Sequence, residues 1–133
     1  LSVFEIFAPL SWGGTVILAE NVLALPLLPA ADRERVTLVN TVPSLMGELA
    51  ASGDPARLPR LRTVNLAGEP LPAALVSRLE ELAPVRICNL YGPSEDTTYS
   101  TLAEVAGDSR TPAIGRPIAG SCRSDRARRA PVE

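Results

Sequence analysis

The chain alternates short apolar runs with stretches in which apolar residues recur every three or four positions. Apolar side chains at Val3, Phe4, Ile6, Phe7 and Leu10 share one helical face, so this spacing predicts a helix over residues 2–11. Short runs rich in β-branched residues predict strands. These strands are expected over residues 15–18, 36–39, 62–66 and 85–89, with a fifth over 98–105.

Helical patterns separate the later strands from one another. Pro43 opens a helix that runs to about Ala51, and Pro72 opens a second one, because proline is well tolerated in the first turn of a helix. Residues 21–35 are expected to form a distorted helix or a loop, and residues 115–117 a loop. Strands spaced in this way fit β-α-β units. The fold class is therefore α/β, with a mostly parallel sheet.

The segment NLYGPSEDT, residues 89–97, follows the fourth predicted strand directly. Gly92 and Pro93 favour a rigid turn, because glycine adopts conformations that other residues avoid and proline fixes φ. Tyr91 and the hydroxyl and carboxylate side chains after it are then placed at the carboxyl end of a strand, where open α/β sheets bind ligands. The turn alone leaves two interpretations open, an ordinary polar loop or part of a ligand site.

The composition excludes several kinds of active site. The chain has 133 residues, a formal net charge of −2 and no histidine, and all 13 of its basic residues are arginine. Without histidine or lysine it cannot build a Ser-His-Asp triad, a histidine-ligated metal site or a Schiff-base lysine. Neither nucleic acid nor a membrane is predicted as a partner, because the charge is slightly negative and no apolar run approaches the ~20 residues of a membrane span. Cys88 is expected to be a buried apolar residue and Cys122 part of a polar tail, so a reducing cytoplasm is the default location.

Asparagine ends three of the predicted strands, although asparagine is a poor strand residue. Asn40, Asn65 and Asn89 occupy these positions, near a Gly-Glu-Pro loop and the Gly-Pro-Ser-Glu loop. Any one of them is explained by a turn, whereas the three together favour a ligand crevice. An aromatic ring, amides, hydroxyls and a carboxylate suit half of a nucleotide triphosphate site. The glycine-rich phosphate loops GxxxxGK[ST] and GxGxxG do not occur in the chain.

Five ordered stretches resemble adenylate-forming enzymes, and specifically the adenylation domains of non-ribosomal peptide synthetases. They are LSVFEIF (1–7), NTVPSLM (40–46), NLAGEPL (65–71), NLYGPSE (89–95) and IGRPI (114–118). The resemblance covers residues 1–120 and implies an internal piece of the large N-terminal subdomain, followed by a divergent or disordered tail over 121–133. It implies the activation of an amino acid by ATP and Mg²⁺, and then transfer to the phosphopantetheine thiol of a carrier protein. Peptidyl carrier and condensation domains of the same assembly line are the implied partners.

The resemblance assigns roles to individual positions. Tyr91 is expected to stack on adenine opposite Gly68 and Glu69, and Asn89 to bind the adenine amino group. Gly92 is expected to belong to the same nucleotide-binding set. Ser94 is expected to contact the α-phosphate, Thr97 to donate to phosphate oxygens, and Glu95 to ligate Mg²⁺. The implied lining of the amino acid pocket is Leu1, Phe4, Asn40, Asn65, Ala67, Leu90, Thr98 and Tyr99. This lining is crowded and uncharged, and it resembles the alanine type.

Several parts of that enzyme have no counterpart in the sequence. The aspartate that holds the substrate ammonium, the phosphate loop, the ribose-binding aspartate and the catalytic lysine are missing, so we expect no complete catalytic set and no activity of these residues alone. Two alternatives stay open. One is an acyl- or aryl-CoA ligase of the same superfamily, and the other is a non-catalytic nucleotide-binding remnant.

Overall fold

A computed structural model describes residues 2–52, 58–93, 99–107 and 112–118 of the chain. Its helices are α1 (Ser2–Ser11), α2 (Ala30–Arg33), α3 (Pro43–Ala51) and α4 (Ala73–Leu82), with a 3₁₀ helix over Val22–Leu27. Its strands are β1 (Leu38–Thr41), β2 (Thr63–Ala67), β3 (Arg86–Tyr91), β4 (Thr101–Val105) and β5 (Arg116–Pro117).

The five strands form one sheet in the order β1-β2-β3-β4-β5. The first three run parallel, each joined to the next through a helix, whereas β4 and β5 are antiparallel to their neighbours. The α/β class and the mostly parallel sheet that the sequence predicts are confirmed. Because β1, β2 and β3 run in the same direction, their carboxyl ends at Thr41, Ala67 and Tyr91 lie side by side along one edge of the sheet, the edge formed by the strand ends.

The main core lies between one face of the sheet and helices α3 and α4. Met46 and Leu49 of α3 and Val76 and Leu79 of α4 are almost fully buried. They belong to one apolar cluster with strand residues that alternate along the sheet, namely Val39, Val64, Leu66 and Ile87. Since alternate strand residues face opposite sides, the remaining strand residues are free to line the other face.

The predicted helices and four of the five predicted strands are found, with shifts of up to three residues at their ends. Helix α3 begins at Pro43 as expected, and α4 begins directly after Pro72, which occupies the capping position. Strand β3 extends to Tyr91, so Tyr91 belongs to the strand and not to the turn that follows. Cys88 is buried as predicted. Among the described residues, no helix is long and apolar enough to cross a membrane.

Two sequence predictions are wrong. Residues 15–18 form no strand but an irregular segment in which Leu18 is exposed, and they pair with none of the five strands. Residues 115–117 are not simply a loop, since Arg116 and Pro117 pair with β4. A hydrogen bond from the Ile118 N–H to the Ser100 carbonyl, 3.0 Å, extends that pairing.

Candidate active site

The register of the sheet divides the strand-end residues between its two faces. Asn40 pairs with Asn65, and Asn65 with Cys88, so these side chains share one face. Asn89 pairs instead with Leu66, a core residue, and therefore lies on the face that carries α3 and α4. The sequence predicted that the three asparagines line one crevice. They lie along one edge of the sheet, but Asn89 approaches that edge from the opposite side.

A small apolar cluster lies on the face opposite the main core. Ala67, Leu90 and Tyr99 are buried together, and Ile118 packs against them. The edge of the Phe4 ring meets the Tyr99 ring, with the two centroids 5.8 Å apart and the planes at 86°. This contact ties the start of α1 to the end of the sheet. Four of the residues expected to line the pocket, Phe4, Ala67, Leu90 and Tyr99, are thus brought together here.

Asn40 links that cluster to a carboxylate on α1. Its amide nitrogen Nδ2 donates to Glu5 Oε1 and to Tyr99 Oη, both at 2.8 Å. Burial is the main cause that raises the pKa of the Tyr99 hydroxyl above its usual value, and the neighbouring Glu5 adds to the shift, although the hydrogen bond from Asn40 opposes it. Tyr99 is therefore a neutral hydroxyl at physiological pH. Sequence reasoning missed Glu5, whose signal was a lone charge among the apolar residues of α1.

An open groove of about 850 Å³ runs beside this network. Its lining includes Phe4 and Glu5 of α1, Asn40 of β1 and Asn65 of β2. Most of the remaining lining is apolar, including Val16, Ile17, Val22, Leu25 and Leu45. Asn65, expected to line the same pocket, therefore opens into the same space as Asn40.

The opposite face of the strand ends carries Asn89 and Tyr91. Asn89 is 5% exposed, and its Nδ2 donates to the Ala113 carbonyl at 2.9 Å. Tyr91 is 49% exposed, and its carbonyl accepts from the Ser100 N–H at 2.8 Å. The backbone of Tyr91 is therefore held in place while about half of its side chain faces solvent. Such a ring has a free surface on which a flat ligand can stack.

The loop after β2 is fixed to helix α3 by Glu69. Its carboxylate accepts from the Ser44 N–H and from the Ser44 hydroxyl, both at 2.9 Å. Ser44 is the second residue of α3, whose first backbone N–H groups have no partner within the helix. Gly68 begins this loop with φ +85°, and the nearest atom to a Cβ built there is Val42 Cγ1 at 3.6 Å. Glu69 thus holds the loop to the N-terminus of α3, and Gly68 allows the backbone to turn where the loop begins.

Replacing Glu69 with alanine is expected to destabilise the protein by about 1 kcal/mol, because it removes a charged cap from the N-terminus of α3. Urea denaturation of the protein that contains this chain measures the change. The matched control is Glu48→Ala, which removes an exposed carboxylate from the same helix and is expected to change little. Equal losses for the two variants would rule out the capping role.

Five of the predicted site residues lie outside the described residues. They are Leu1 of the expected pocket, and Ser94, Glu95, Thr97 and Thr98 of the segment after Gly92 and Pro93. Within the described ranges, no group of three or more histidine, cysteine, aspartate or glutamate side chains is arranged to hold a metal ion. The expected phosphate and magnesium contacts therefore remain predictions.

Comparisons with known proteins identify the family. The model of the AMP-binding enzyme family matches residues 1–123. A linear gramicidin synthase of Brevibacillus parabrevis is 56% identical over 123 residues, which are 91% of this chain and 2% of that protein. AMB antimetabolite synthetase AmbB of Pseudomonas aeruginosa is 48% identical over 126 residues, which are 91% of this chain and 10% of that protein. The chain thus spans a tenth or less of these relatives.

A solved structure supports the same family assignment. The crystal structure of the nonribosomal peptide synthetase FmoA3 in its α-methyl-L-serine-AMP-bound form superposes with a TM-score of 0.74 at 25% identity. The match covers 89% of this chain and 14% of that protein. These findings confirm the resemblance that the ordered motifs predicted. The chain belongs to the AMP-binding enzyme family, and the proteins to which it is similar include nonribosomal peptide synthetases.

Proposed function

We propose that the protein containing this chain activates an amino acid. The amino acid carboxylate attacks the α-phosphorus of ATP, the bond from that phosphorus to the bridging oxygen of pyrophosphate breaks, and the products are aminoacyl-AMP and pyrophosphate. The observation that carries the proposal is the family match over residues 1–123, together with relatives that are peptide synthetases. A carrier-protein phosphopantetheine thiol then takes the aminoacyl group and releases AMP.

The described side chains fit the adenine of a nucleotide. Asn89 uses its amide nitrogen to hold the Ala113 carbonyl, so its amide oxygen is the atom left to accept from the exocyclic amine. The half-exposed ring of Tyr91 offers a stacking surface. Gly68 has no side chain that would block the face of the adenine ring opposite Tyr91. The Glu69 carboxylate already accepts two hydrogen bonds from Ser44, so we assign Glu69 the role of holding the Gly68 loop in place.

The phosphates and the metal are assigned to the segment after β3. Glu95 supplies a carboxylate, the ligand type that Mg²⁺ prefers, and Ser94 and Thr97 supply hydroxyl donors for phosphate oxygens. When bound, Mg²⁺ neutralises negative charge on the phosphates. We expect the chain itself to contribute orientation, because Pro93 has a fixed φ and restricts the backbone immediately before Ser94.

The pocket composition favours alanine as the substrate. Phe4 and Leu90 pack against Tyr99, which is hydrogen-bonded to Asn40. Leu1, Asn65 and Thr98 belong to the same expected lining. None of these residues carries a charge, and the nearby Glu5 carboxylate is hydrogen-bonded to Asn40. We therefore expect a charged substrate side chain to be disfavoured there, because its burial costs free energy that this lining does not return. One methylene is worth only about 1–3 kcal/mol in a pocket, so we expect glycine and serine to be accepted at reduced rates.

Another adenylate-forming activity is the second candidate. An anthranilate CoA ligase in complex with anthranoyl-AMP shares this fold with a TM-score of 0.64 at 25% identity, over 81% of this chain and 22% of that protein. An acyl- or aryl-CoA ligase therefore remains an alternative, as does a non-catalytic nucleotide-binding remnant. The higher identity to peptide synthetases favours the amino acid.

The partners follow from the proposed reaction. A peptidyl carrier protein accepts the aminoacyl group on its phosphopantetheine arm, and a condensation domain of the same assembly line uses it. We place the protein in the cytoplasm, where ATP is available.

Pyrophosphate exchange separates the candidates. We expect the protein that contains this chain to exchange labelled pyrophosphate into ATP when given amino acids, and not when given fatty or aryl acids. The 133-residue chain alone is expected to give no sustained release of pyrophosphate. Exchange driven only by a fatty or aryl acid would identify the CoA ligase alternative. ATP binding without exchange with any acid would identify the remnant.

A further inference from the structure

Glu5 is a carboxylate that the proposed reaction leaves without a role. It lies on α1 between Phe4 and Ile6 and is half-buried. Its Oε1 accepts from Asn40 Nδ2 at 2.8 Å and it also lines the groove. A carboxylate in a partly apolar wall loses hydration, so its retention needs a compensating interaction. That interaction is with Asn40, a residue of the proposed pocket.

The chemistry of the three side chains shows what Glu5 contributes. An asparagine amide has a donor end and an acceptor end, and turning it by 180° exchanges them. The Tyr99 hydroxyl both donates and accepts, so it tolerates either orientation of Asn40. An ionised carboxylate only accepts, so Glu5 requires the amide nitrogen to face it. Both hydrogens of that nitrogen are then used, one on Glu5 and one on Tyr99.

We propose that Glu5 is a positioning residue that fixes the polarity of the substrate pocket. It holds Asn40 so that the amide oxygen, and not the amide nitrogen, is the polar atom offered to the groove. Through Asn40 it also fixes the hydroxyl of Tyr99, whose ring packs against Phe4 and Leu90. The role rests on the proposed function, because that function makes this groove the amino acid pocket.

The test compares Michaelis constants for the two substrates in pyrophosphate exchange by the full protein. We expect Glu5→Ala to raise KM for the amino acid about tenfold and to leave KM for ATP within about twofold, because Asn89 and Tyr91 are on the other face of the sheet. Glu5→Gln keeps one acceptor and is expected to raise the amino acid KM about threefold. Glu34→Ala, which removes an exposed carboxylate after α2, is the matched control.

A double variant tests whether Glu5 acts through Asn40. Adding Glu5→Ala to Asn40→Ala is expected to change the amino acid KM by no more than about twofold. A further tenfold loss would overturn the proposal, as would equal changes in both Michaelis constants or a result for Glu5→Ala that matches Glu34→Ala. If Glu5→Ala does not fold, Glu5→Gln decides by the same comparison. A parent protein that shows no exchange with any amino acid would overturn the proposed function and this role with it, whereas normal exchange with an inert Glu5 overturns this role alone.

Discussion

Replacing Gly115 with alanine is expected to separate β5 from β4 and to destabilise the protein by about 3 kcal/mol or more. Gly115 has φ +86°, a backbone conformation that residues with a side chain rarely adopt. A Cβ built there would overlap the Leu102 carbonyl and the Ala103 nitrogen, which are backbone atoms of β4 and cannot rotate away. Since β4 pairs with β3, the disturbance reaches the strand that carries Asn89 and Tyr91.

Alanine substitutions at two other glycines distinguish the cost of an unfavourable φ from the cost of steric overlap. Gly13 has φ +76° but nothing within 4 Å of a Cβ, so Gly13→Ala is expected to cost about 1–2 kcal/mol. Gly47 lies inside α3 with open space around it, so Gly47→Ala is expected to stabilise by about 0.5–1 kcal/mol. Urea denaturation of the three variants in the full protein gives the order. A Gly115→Ala protein no less stable than Gly13→Ala would contradict the β4–β5 packing.

Replacing Tyr91 with alanine is expected to weaken ATP binding about 10- to 100-fold, because stacking on an aromatic side chain is worth about 1–3 kcal/mol. The backbone of Tyr91 is held by the Ser100 N–H, so removal of the ring leaves the end of β3 in place. Tyr91→Phe keeps the stacking surface and is expected to bind ATP nearly as the unchanged protein does. The measurement is KM for ATP in pyrophosphate exchange.

The second tyrosine provides the contrast for this prediction. Tyr99 is buried on the other face of the sheet and accepts a hydrogen bond from Asn40. Tyr99→Phe is therefore expected to alter KM for the amino acid and to leave KM for ATP within about twofold. If Tyr91→Ala changed only KM for the amino acid, the assignment of Tyr91 to adenine would be wrong. It would also be wrong if Tyr91→Phe raised KM for ATP as much as Tyr91→Ala does.

Local signals were sufficient to predict much of the fold. Pro43 and Pro72 mark where helices α3 and α4 begin, because proline fits the first turn and its capping position. The apolar run at 15–18 carries the same local signal as a true strand, but a strand needs a neighbour with which to pair. The two-residue strand β5 shows the reverse case. It forms by pairing with β4 and has too few residues for a detectable period.

The candidate site was predicted by position along the sheet but not by face. The sequence placed Asn40, Asn65 and Asn89 at strand ends, and the structure places them along one edge. Which side each faces depends on a register that one residue can reverse, and the ends of the predicted strands differ from the observed ends by that amount or more. Glu5 was missed for a different reason. Its importance comes from a hydrogen bond to a residue 35 positions away.

The measurement that most directly tests the central claim is amino-acid-dependent ATP–pyrophosphate exchange by the protein that contains this chain. Alanine is compared at matched concentrations with glycine, serine, valine, phenylalanine and aspartate. We expect alanine to give the highest kcat/KM, glycine and serine to follow, and phenylalanine and aspartate to give no exchange above background. Exchange led by aspartate or phenylalanine would contradict the proposed alanine-type lining, in which Phe4, Leu90 and Tyr99 leave room only for a small side chain.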